Sequence, residues 1–291
     1  MVSDLHLHST ASDGELTPEQ VVERAKGKGI ECIALSDHDT AAGVEQAQAA
    51  GRRLGVTVLP AIELSAAFAG ELHILGYGLD IRHADFCAFT RQQQLRRAQR
   101  NRRMVEALQQ AGLGITEAAC RRLAPGAGEN WGRSHMARAL VEKGCCADTK
   151  EAFDRYLGYG KSCYVPREKT PPAECIGLIH RCGGLAVLAH PGLIQVPEHQ
   201  LFALIHGLQS QGLDGLEAYY PQHSPKQAAQ YVRIARMLGL YVTYGSDFHG
   251  PSRAGNEMLA GWLTHRPEGD VAAFLDRLME EKEKGNAHSF K

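Results

Sequence analysis

The chain has 291 residues, which allows one large domain or a barrel carrying an inserted second domain. Hydrophobic residues make up 44%, enough for a sizeable core, so a disordered chain, a collagen-like repeat and a disulfide-stapled miniprotein are excluded. The 32 basic and 33 acidic residues leave a net charge of -1, less basic than a protein that coats nucleic acid non-specifically.

Seven short apolar runs, at 2–7, 32–36, 56–62, 72–77, 185–189, 215–219 and 241–245, read as buried strands. After the first run, Thr17-Pro18-Glu19-Gln20 starts a helix, with Thr17 as N-cap and proline in the first turn. Asp39-Thr40 opens a second helix running to Gly55, with Asp39 as its cap. Pro171-Pro172 opens a third that ends near Gly183-Gly184, and Ser224-Pro225 a fourth that ends at Gly239. Strands alternating with helices predict an α/β fold with parallel strands, and seven such units favour a (β/α) barrel. No G-x-G-x-x-G or G-x-x-x-x-G-K follows a strand, so dinucleotide and P-loop readings lack support.

The alternation breaks between about Asp85 and Pro166, where the pattern is helical with a loop at 123–130. The expected organisation is a barrel formed by 1–84 and 166–291, with 85–165 as a helical insertion that caps the substrate. An amphipathic helix is expected over 270–284. The eight cysteines form no Cys-x-x-Cys and read as small buried or half-exposed thiols of a reducing compartment. The N-terminus has no signal-peptide pattern, and no run approaches the ~18–20 apolar residues that cross a bilayer. A cytoplasmic protein with no membrane association and no obligate protein partner is the expectation.

The chemistry lies at the strand ends. His6 and His8 are two apart on an extended segment and face the same way, as a chelate requires. Asp13 follows in a turn. The second strand ends in Ser36-Asp37-His38-Asp39, the third at Glu63, and the fourth carries His73. The fifth ends in Ala189-His190-Pro191, the sixth near Glu217 and Tyr219-Tyr220 with His223 beyond, and the seventh in Asp247-Phe248-His249. Alone, His73 reads as a hydrogen-bonded core residue and His190-Pro191 as a turn. Together, so many imidazoles and carboxylates at the C-terminal ends of parallel strands point to the active-site face of a barrel. Burying them without a cation would be costly. The donors are nitrogen and oxygen with no thiolate, which suits Zn²⁺, Mn²⁺ or Fe²⁺, and nine candidates exceed what one ion takes.

D-L-H-L-H-S, S-D-H-D, the isolated Glu63, A-H-P and S-D-F-H resemble the motifs of the PHP (polymerase and histidinol phosphatase) proteins. The resemblance runs from residue 3 to about 250. It implies a distorted seven-stranded (β/α) barrel with two or three divalent metals, Mn²⁺ favoured, that cleaves phosphoesters. Carried over position by position, it implies that His6, His8, Glu63 and Asp247 hold one metal. Glu63, His73 and His190 would hold a second, and Asp13, His38 and His249 a third, with Asp37 orienting a ligand histidine. The stretches G-R-S-H-M-A-R-A-L (132–140), G-K-S-C-Y-V-P (160–166) and Y-Y-P-Q-H-S (219–224) resemble one branch in particular. That branch acts on nucleoside 3′,5′-bisphosphates and on short 5′-phosphorylated RNA.

The insertion supports that expectation. Arg91, Arg96, Arg97, Arg100, Arg102 and Arg103 crowd one helix with no acid among them, above an apolar stripe of Leu95, Ala98, Val105 and Leu108. Arg96, Arg97, Arg100 and Arg103 sit three or four apart on one side, suited to clamp a second phosphate. Arg133, Ser134, His135 and Lys161 are further donors, and Trp131 is a candidate either to stack a base or to sit buried in a core. The expected reaction is attack of a metal-activated water on a 3′-phosphate, converting adenosine 3′,5′-bisphosphate to AMP and phosphate. His223 is the first candidate to protonate the leaving ribose oxygen and to contact substrate, and Asp13 the second. The alternatives are a histidinol phosphate phosphatase, an amidohydrolase, which also begins with His-x-His on a barrel strand, and a non-catalytic metal-bound module.

Overall fold

The computed structural model describes residues 1–252, 255–258, 269, 271–278 and 280. Seven strands form one sheet in sequence order: β1 (Ser3–Leu7), β2 (Cys32–Leu35), β3 (Thr57–Ser65), β4 (His73–Tyr77), β5 (Leu185–Leu188), β6 (Gly215–Tyr219) and β7 (Tyr241–Tyr244). All seven expected strands are present. The sheet curls until the end of β1 meets the segment after β7, where the His8 amide donates to the Phe248 carbonyl at 2.9 Å. Gly245 makes that seam possible, since a Cβ there would lie 2.2 Å from the Cβ of His6.

One expectation is corrected. β4 runs antiparallel to both β3 and β5. The short loop at 66–72 closes a hairpin, with Ser65 opposite His73, instead of allowing a crossover helix. His73 therefore stands at the start of its strand. Reversal of the strand returns it to the same mouth of the barrel as Glu63.

Helices cover the outside: α1 (Pro18–Gly27), α2 (Val44–Leu54), α7 (Pro172–Arg181), α8 (Glu198–Ser210) and α9 (Pro225–Leu238). Thr17 and Ser224 form capping boxes at the starts of α1 and α9. The second helix starts later than expected, at Val44 after Gly43, and Asp39 does not cap it. Between β4 and α7 lie α3 (Ala84–Gln110), α4 (Glu117–Arg122), α5 (Arg133–Glu142) and α6 (Thr149–Ala152), followed by a π-helical turn (Phe153–Leu157).

Two cores meet in α3. Its N-terminal Phe86 packs into the barrel-side cluster with Leu178, Ile179 and Cys182. Its C-terminal Met104, Val105 and Leu108 pack with Trp131, Met136 and Leu140 in a separate cluster. Inside the barrel, Leu5, Leu59, Leu75, Tyr77 and Tyr244 are closed off by Val271, Phe274 and Leu278. Residues 271–278 are helical, as expected for 270–284; the remainder of that expected helix lies outside the described residues, residue 280 apart. All eight cysteines are free thiols, and only Cys87 is exposed. No helix among the described residues is long and apolar enough to cross a membrane.

Candidate active site

The strand ends bring nine residues together at one mouth of the barrel, in four overlapping groups. These are His6, His8 and Asp247; His6, Glu63 and His190; His38, Glu63 and His73; and His8, Asp13, His38 and His249. Within each group the donor atoms lie within 4.8 Å of one another. Glu63 is at the centre and fully buried. One of its oxygens lies 2.8 Å from His73 Nδ1, 3.0 Å from His190 Nε2 and 3.5 Å from His6 Nε2. The other lies 2.7 Å from His38 Nδ1 and 3.4 Å from His8 Nε2. Asp247 Oδ1 approaches His8 Nε2 at 3.1 Å, and Asp13 Oδ1 approaches His249 Nε2 at 3.4 Å.

The fit to cations can be tested on these atoms. His6 Nε2, both nitrogens of His8, His38 Nδ1, His73 Nδ1, His249 Nε2 and Glu63 Oε2 are buried without a hydrogen bond among the described residues. Buried polar atoms are ordinarily satisfied. Donor pairs about 3 Å apart but not hydrogen-bonded are what two ligands of one ion show, since each sits about 2.1 Å from the ion at roughly a right angle. The donor set therefore fits divalent cations.

Surrounding carboxylates fix the histidines. Glu217, fully buried, takes His6 Nδ1 at 2.9 Å with one oxygen and the His190 amide at 2.7 Å with the other. It thus sets both the tautomer and the backbone of two donors. Asp4 accepts from the Ser246 amide at 2.9 Å and ties the start of β1 to the Asp247 segment; burial pushes its carboxyl up to about 6. Asp37 is corrected: it holds the Ser9 amide and hydroxyl and the Ser12 hydroxyl, not a histidine, and so shapes the turn that presents Asp13. Asp39, His190 and Asp247 all adopt positive φ, at 54°, 26° and 51°, so backbone strain is concentrated at this mouth.

Titration reflects the crowding. Burial opposes charge at Glu63, yet His38, His73 and His6 hold its carboxyl well below the usual range. His73 is raised to about 10: burial disfavours its charge, and Glu63 and Glu71 more than offset that. His8 falls to about 3 through burial and repulsion by His249 and His38.

A cavity of about 430 Å³ lies between this cluster and the insertion. Asp13, His38 and His73 are on its floor; Arg97, Arg100, Arg133, Arg167 and Lys169 are on its wall. Asp39 receives Arg97 and, at 2.8 Å, Arg167. Glu71 receives Arg133 at 2.8 Å and Lys169 at 3.3 Å. Arg100 is 8% exposed and has no carboxylate partner among the described residues; its contact is Met104 Sδ at 3.6 Å. Burial and the neighbouring Arg97 and Arg133 depress its pKa well below the usual range.

The arginine run divides. Arg97 and Arg100 face the cavity, whereas Arg96, Arg102 and Arg103 line an adjoining groove that also reaches Arg100 and Arg167. Arg91 is exposed, and so is Leu95, at 59%, which removes it from the apolar stripe; Met104 takes that place in the core. Arg133 and Ser134 line the cavity. His135 does not line it: its Nδ1 accepts from the Gly132 amide at 3.1 Å, and burial lowers its pKa to about 4. Lys161 is exposed on a turn outside the cavity lining. Trp131 is fully buried in the insertion core with Arg121 over its ring, so no base can stack on it.

His223 is also corrected. Its Nδ1 donates to the Ala218 carbonyl at 2.9 Å and its Nε2 accepts from the Gly192 amide at 3.1 Å. Burial lowers its pKa, so the ring is neutral and its one proton is committed. Asp13 is no better a donor: against burial, His249 and His38 hold its carboxyl well below the usual range.

The cavity residues Glu71, Arg167, Lys169, Asn130 and Tyr164 were not expected from sequence. Arg167-Glu168-Lys169 just past the insertion was the available signal; Asn130, which donates to the His38 carbonyl at 2.6 Å, offered none.

A barrel that gathers nine nitrogen and oxygen donors at one mouth, beneath a cationic wall, falls in the class of metal-dependent hydrolases. More particularly, the chain belongs to the PHP domain family, whose model matches residues 4–184. It is 37% identical over 254 residues to the 5′-3′ exoribonuclease Rnm of Escherichia coli (strain K12), covering 86% of each chain. It is 35% identical over 257 residues to a 3′,5′-nucleoside bisphosphate phosphatase of Chromobacterium violaceum, covering 88% of this chain and 90% of that one. Among solved structures, an amidohydrolase from Chromobacterium violaceum with bound sulfate and no metal matches with a TM-score of 0.83 and 33% identity, over 89% of this chain and 92% of that one.

Proposed function

We propose that the protein is a divalent-metal-dependent phosphoesterase that removes the 3′-phosphate of nucleoside 3′,5′-bisphosphates, adenosine 3′,5′-bisphosphate giving AMP and phosphate. The observation that carries this reading is Arg100, a buried guanidinium without a carboxylate partner among the described residues, in a cavity whose floor is the ligand cluster. A second phosphate is the natural partner for it, since a buried unpaired charge is costly and guanidinium geometry matches phosphate. The names of the exoribonuclease and bisphosphate phosphatase relatives support the same substrate class.

In this reading His6, His8, Glu63 and Asp247 hold one ion, Glu63, His73 and His190 a second, and Asp13, His38 and His249 a third. Mn²⁺ is preferred for its tolerance of carboxylate donors, with Zn²⁺ or Fe²⁺ as alternatives. Bound there, such ions supply Lewis acidity towards phosphoryl oxygens and lower the pKa of a water. Glu217 orients His6, and Asp37 holds the turn that carries Asp13. Arg100, Arg97, Arg133 and Ser134 receive the 5′-phosphate. Residues 85–165 act as a cap over the barrel of 1–84 and 166–291, excluding water and selecting substrates that carry a second phosphate.

Short 5′-phosphorylated RNA is a second substrate, favoured by the groove of Arg96, Arg102 and Arg103 that adjoins the cavity and gives a polyanion somewhere to run. The test of the main reading is phosphate release with added Mn²⁺ from adenosine 3′,5′-bisphosphate, 5′-AMP and 3′-AMP. Fast release from the bisphosphate alone is expected. Equal release from 3′-AMP would remove the second phosphate site, and no release from any of the three by metal-loaded protein would remove the phosphatase reading.

A further inference from the structure

With Trp131 buried, the cavity still holds an aromatic surface. Phe153, Tyr159 and Tyr164 all line it. The first and third are engaged: the Arg133 guanidinium lies 5.7 Å from the Phe153 ring centre and 5.6 Å from that of Tyr164. Tyr159 is different. It is 64% exposed, and among the described residues its one ring contact is Tyr164 at 5.4 Å between centres. Its hydroxyl makes no hydrogen bond among the described residues.

The backbone holds this ring out. The π-helical turn ends where the Gly158 amide donates to the Phe153 carbonyl at 2.8 Å, and a Cβ at Gly158 would lie 2.7 Å from that same oxygen. A tight turn follows, closed by the Lys161 amide on the Gly158 carbonyl at 3.1 Å, with Gly160 at φ +73°. The Cys163 amide returns to the Tyr156 carbonyl at 3.1 Å. Tyr159 therefore sits at the tip of a pinned turn, and its ring is an exposed aromatic face in a cavity that also carries the cationic wall of Arg97, Arg100, Arg133, Arg167 and Lys169. A solvent-facing aromatic loses water from one face when a flat, polarisable ring covers it, and a nucleobase is such a ring.

We propose that Tyr159 is the platform of a nucleobase subsite, against which the base of the substrate stacks while the cationic wall takes its 5′-phosphate. This subsite rests on the nucleotide reading above, and it is a part of that site that phosphate recognition alone does not require.

The experiment compares two substrates with the same phosphates: adenosine 3′,5′-bisphosphate and ribose 3,5-bisphosphate, which has no base. Tyr159→Ala is expected to raise KM for the nucleotide roughly 10-fold and to leave both kcat and the KM for the ribose compound unchanged. Tyr159→Phe and Tyr159→Trp are expected to keep wild-type KM, because they keep the ring. Calorimetric binding of 5′-AMP to the same variants gives a readout independent of turnover, with the same loss for Tyr159→Ala alone. Equal changes on both substrates, or none on either, would overturn the base subsite and leave the phosphatase standing. Tyr159-dependent binding of 5′-AMP without hydrolysis of either bisphosphate would keep the subsite and overturn the phosphatase.

Discussion

Arg100 and Glu217 mark the two kinds of residue on which the site depends. Arg100→Ala removes a buried donor that no carboxylate of the described residues neutralises, so its loss falls on substrate phosphate. We expect KM for a nucleoside bisphosphate to rise roughly 10- to 100-fold, from charge-assisted hydrogen bonds of about 1.5–3 kcal/mol, with KM for a simple aryl phosphate nearly unchanged. Steady-state kinetics on both substrates decide it; equal losses would defeat the clamp. Glu217→Gln keeps the shape but weakens the grip on His6 Nδ1. Metal affinity is expected to fall roughly 10- to 100-fold, measured as retained metal after dialysis, with the fold intact by circular dichroism. Both residues were in view from sequence to different degrees. Arg100 stood out by its run of neighbours, and Glu217 by its place at a strand end. The pairing around Arg100 did not stand out, because Asp39 meets Arg97 and Arg167 only when three distant segments fold together.

At the level of elements, the barrel seam and the insertion core carry separate risks. Gly245→Ala would drive a methyl against His6 where β1 approaches the end of β7. Overpacking of about 1–3 kcal/mol is expected, together with weaker metal binding, since the strand that moves carries His6 and leads directly into His8. Chemical denaturation and a metal titration on one preparation test both parts; destabilisation with undiminished metal affinity would contradict the coupling. Trp131→Ala should cost about 3–5 kcal/mol from its buried place beside Met136 and Leu140, and should change KM alike for substrates with and without a base. A loss confined to base-bearing substrates would restore Trp131 as a stacking residue. Strand positions were legible because apolar runs of five to seven residues need no partner to be recognised. The direction of β4 was not, since a hairpin and a crossover differ in pairing and not in composition. Asp39 misled for a similar reason: an acid after a strand resembles a helix cap until the arginines that hold it are known.

For the whole molecule, cations and protons compete for one cluster. Without a cation His73 is raised to about 10, so its ion pairing with Glu63 and Glu71 contributes stability fully below about pH 6.5 and loses it as pH rises through about 10. A cation at these nitrogens must displace such protons. Apparent metal affinity should therefore weaken as pH falls from 8 to 6, with protons released on binding, as seen by calorimetry in buffers of differing ionisation enthalpy. Affinity independent of pH, with no proton release, would argue against ligation through these imidazoles. Because the ligands come from residues 6 to 249, metal at about 100 times its Kd should stabilise the fold by about 2.7 kcal/mol, and chelation should lower Tm correspondingly.

By itself the sequence determined the seven-stranded α/β barrel, the helical stretch within it and a crowd of imidazoles and carboxylates at the strand ends, because strand periodicity and His-x-His spacing are local properties that side-chain alternation makes readable, while the resemblance to the PHP proteins singled out the nine donors among them. Only the tertiary structure decided the reversed β4, the commitment of His223 to backbone, the burial of Trp131 and the presentation of Tyr159. Each of those depends on which distant groups arrive beside a side chain, and so on packing and desolvation that no local pattern encodes.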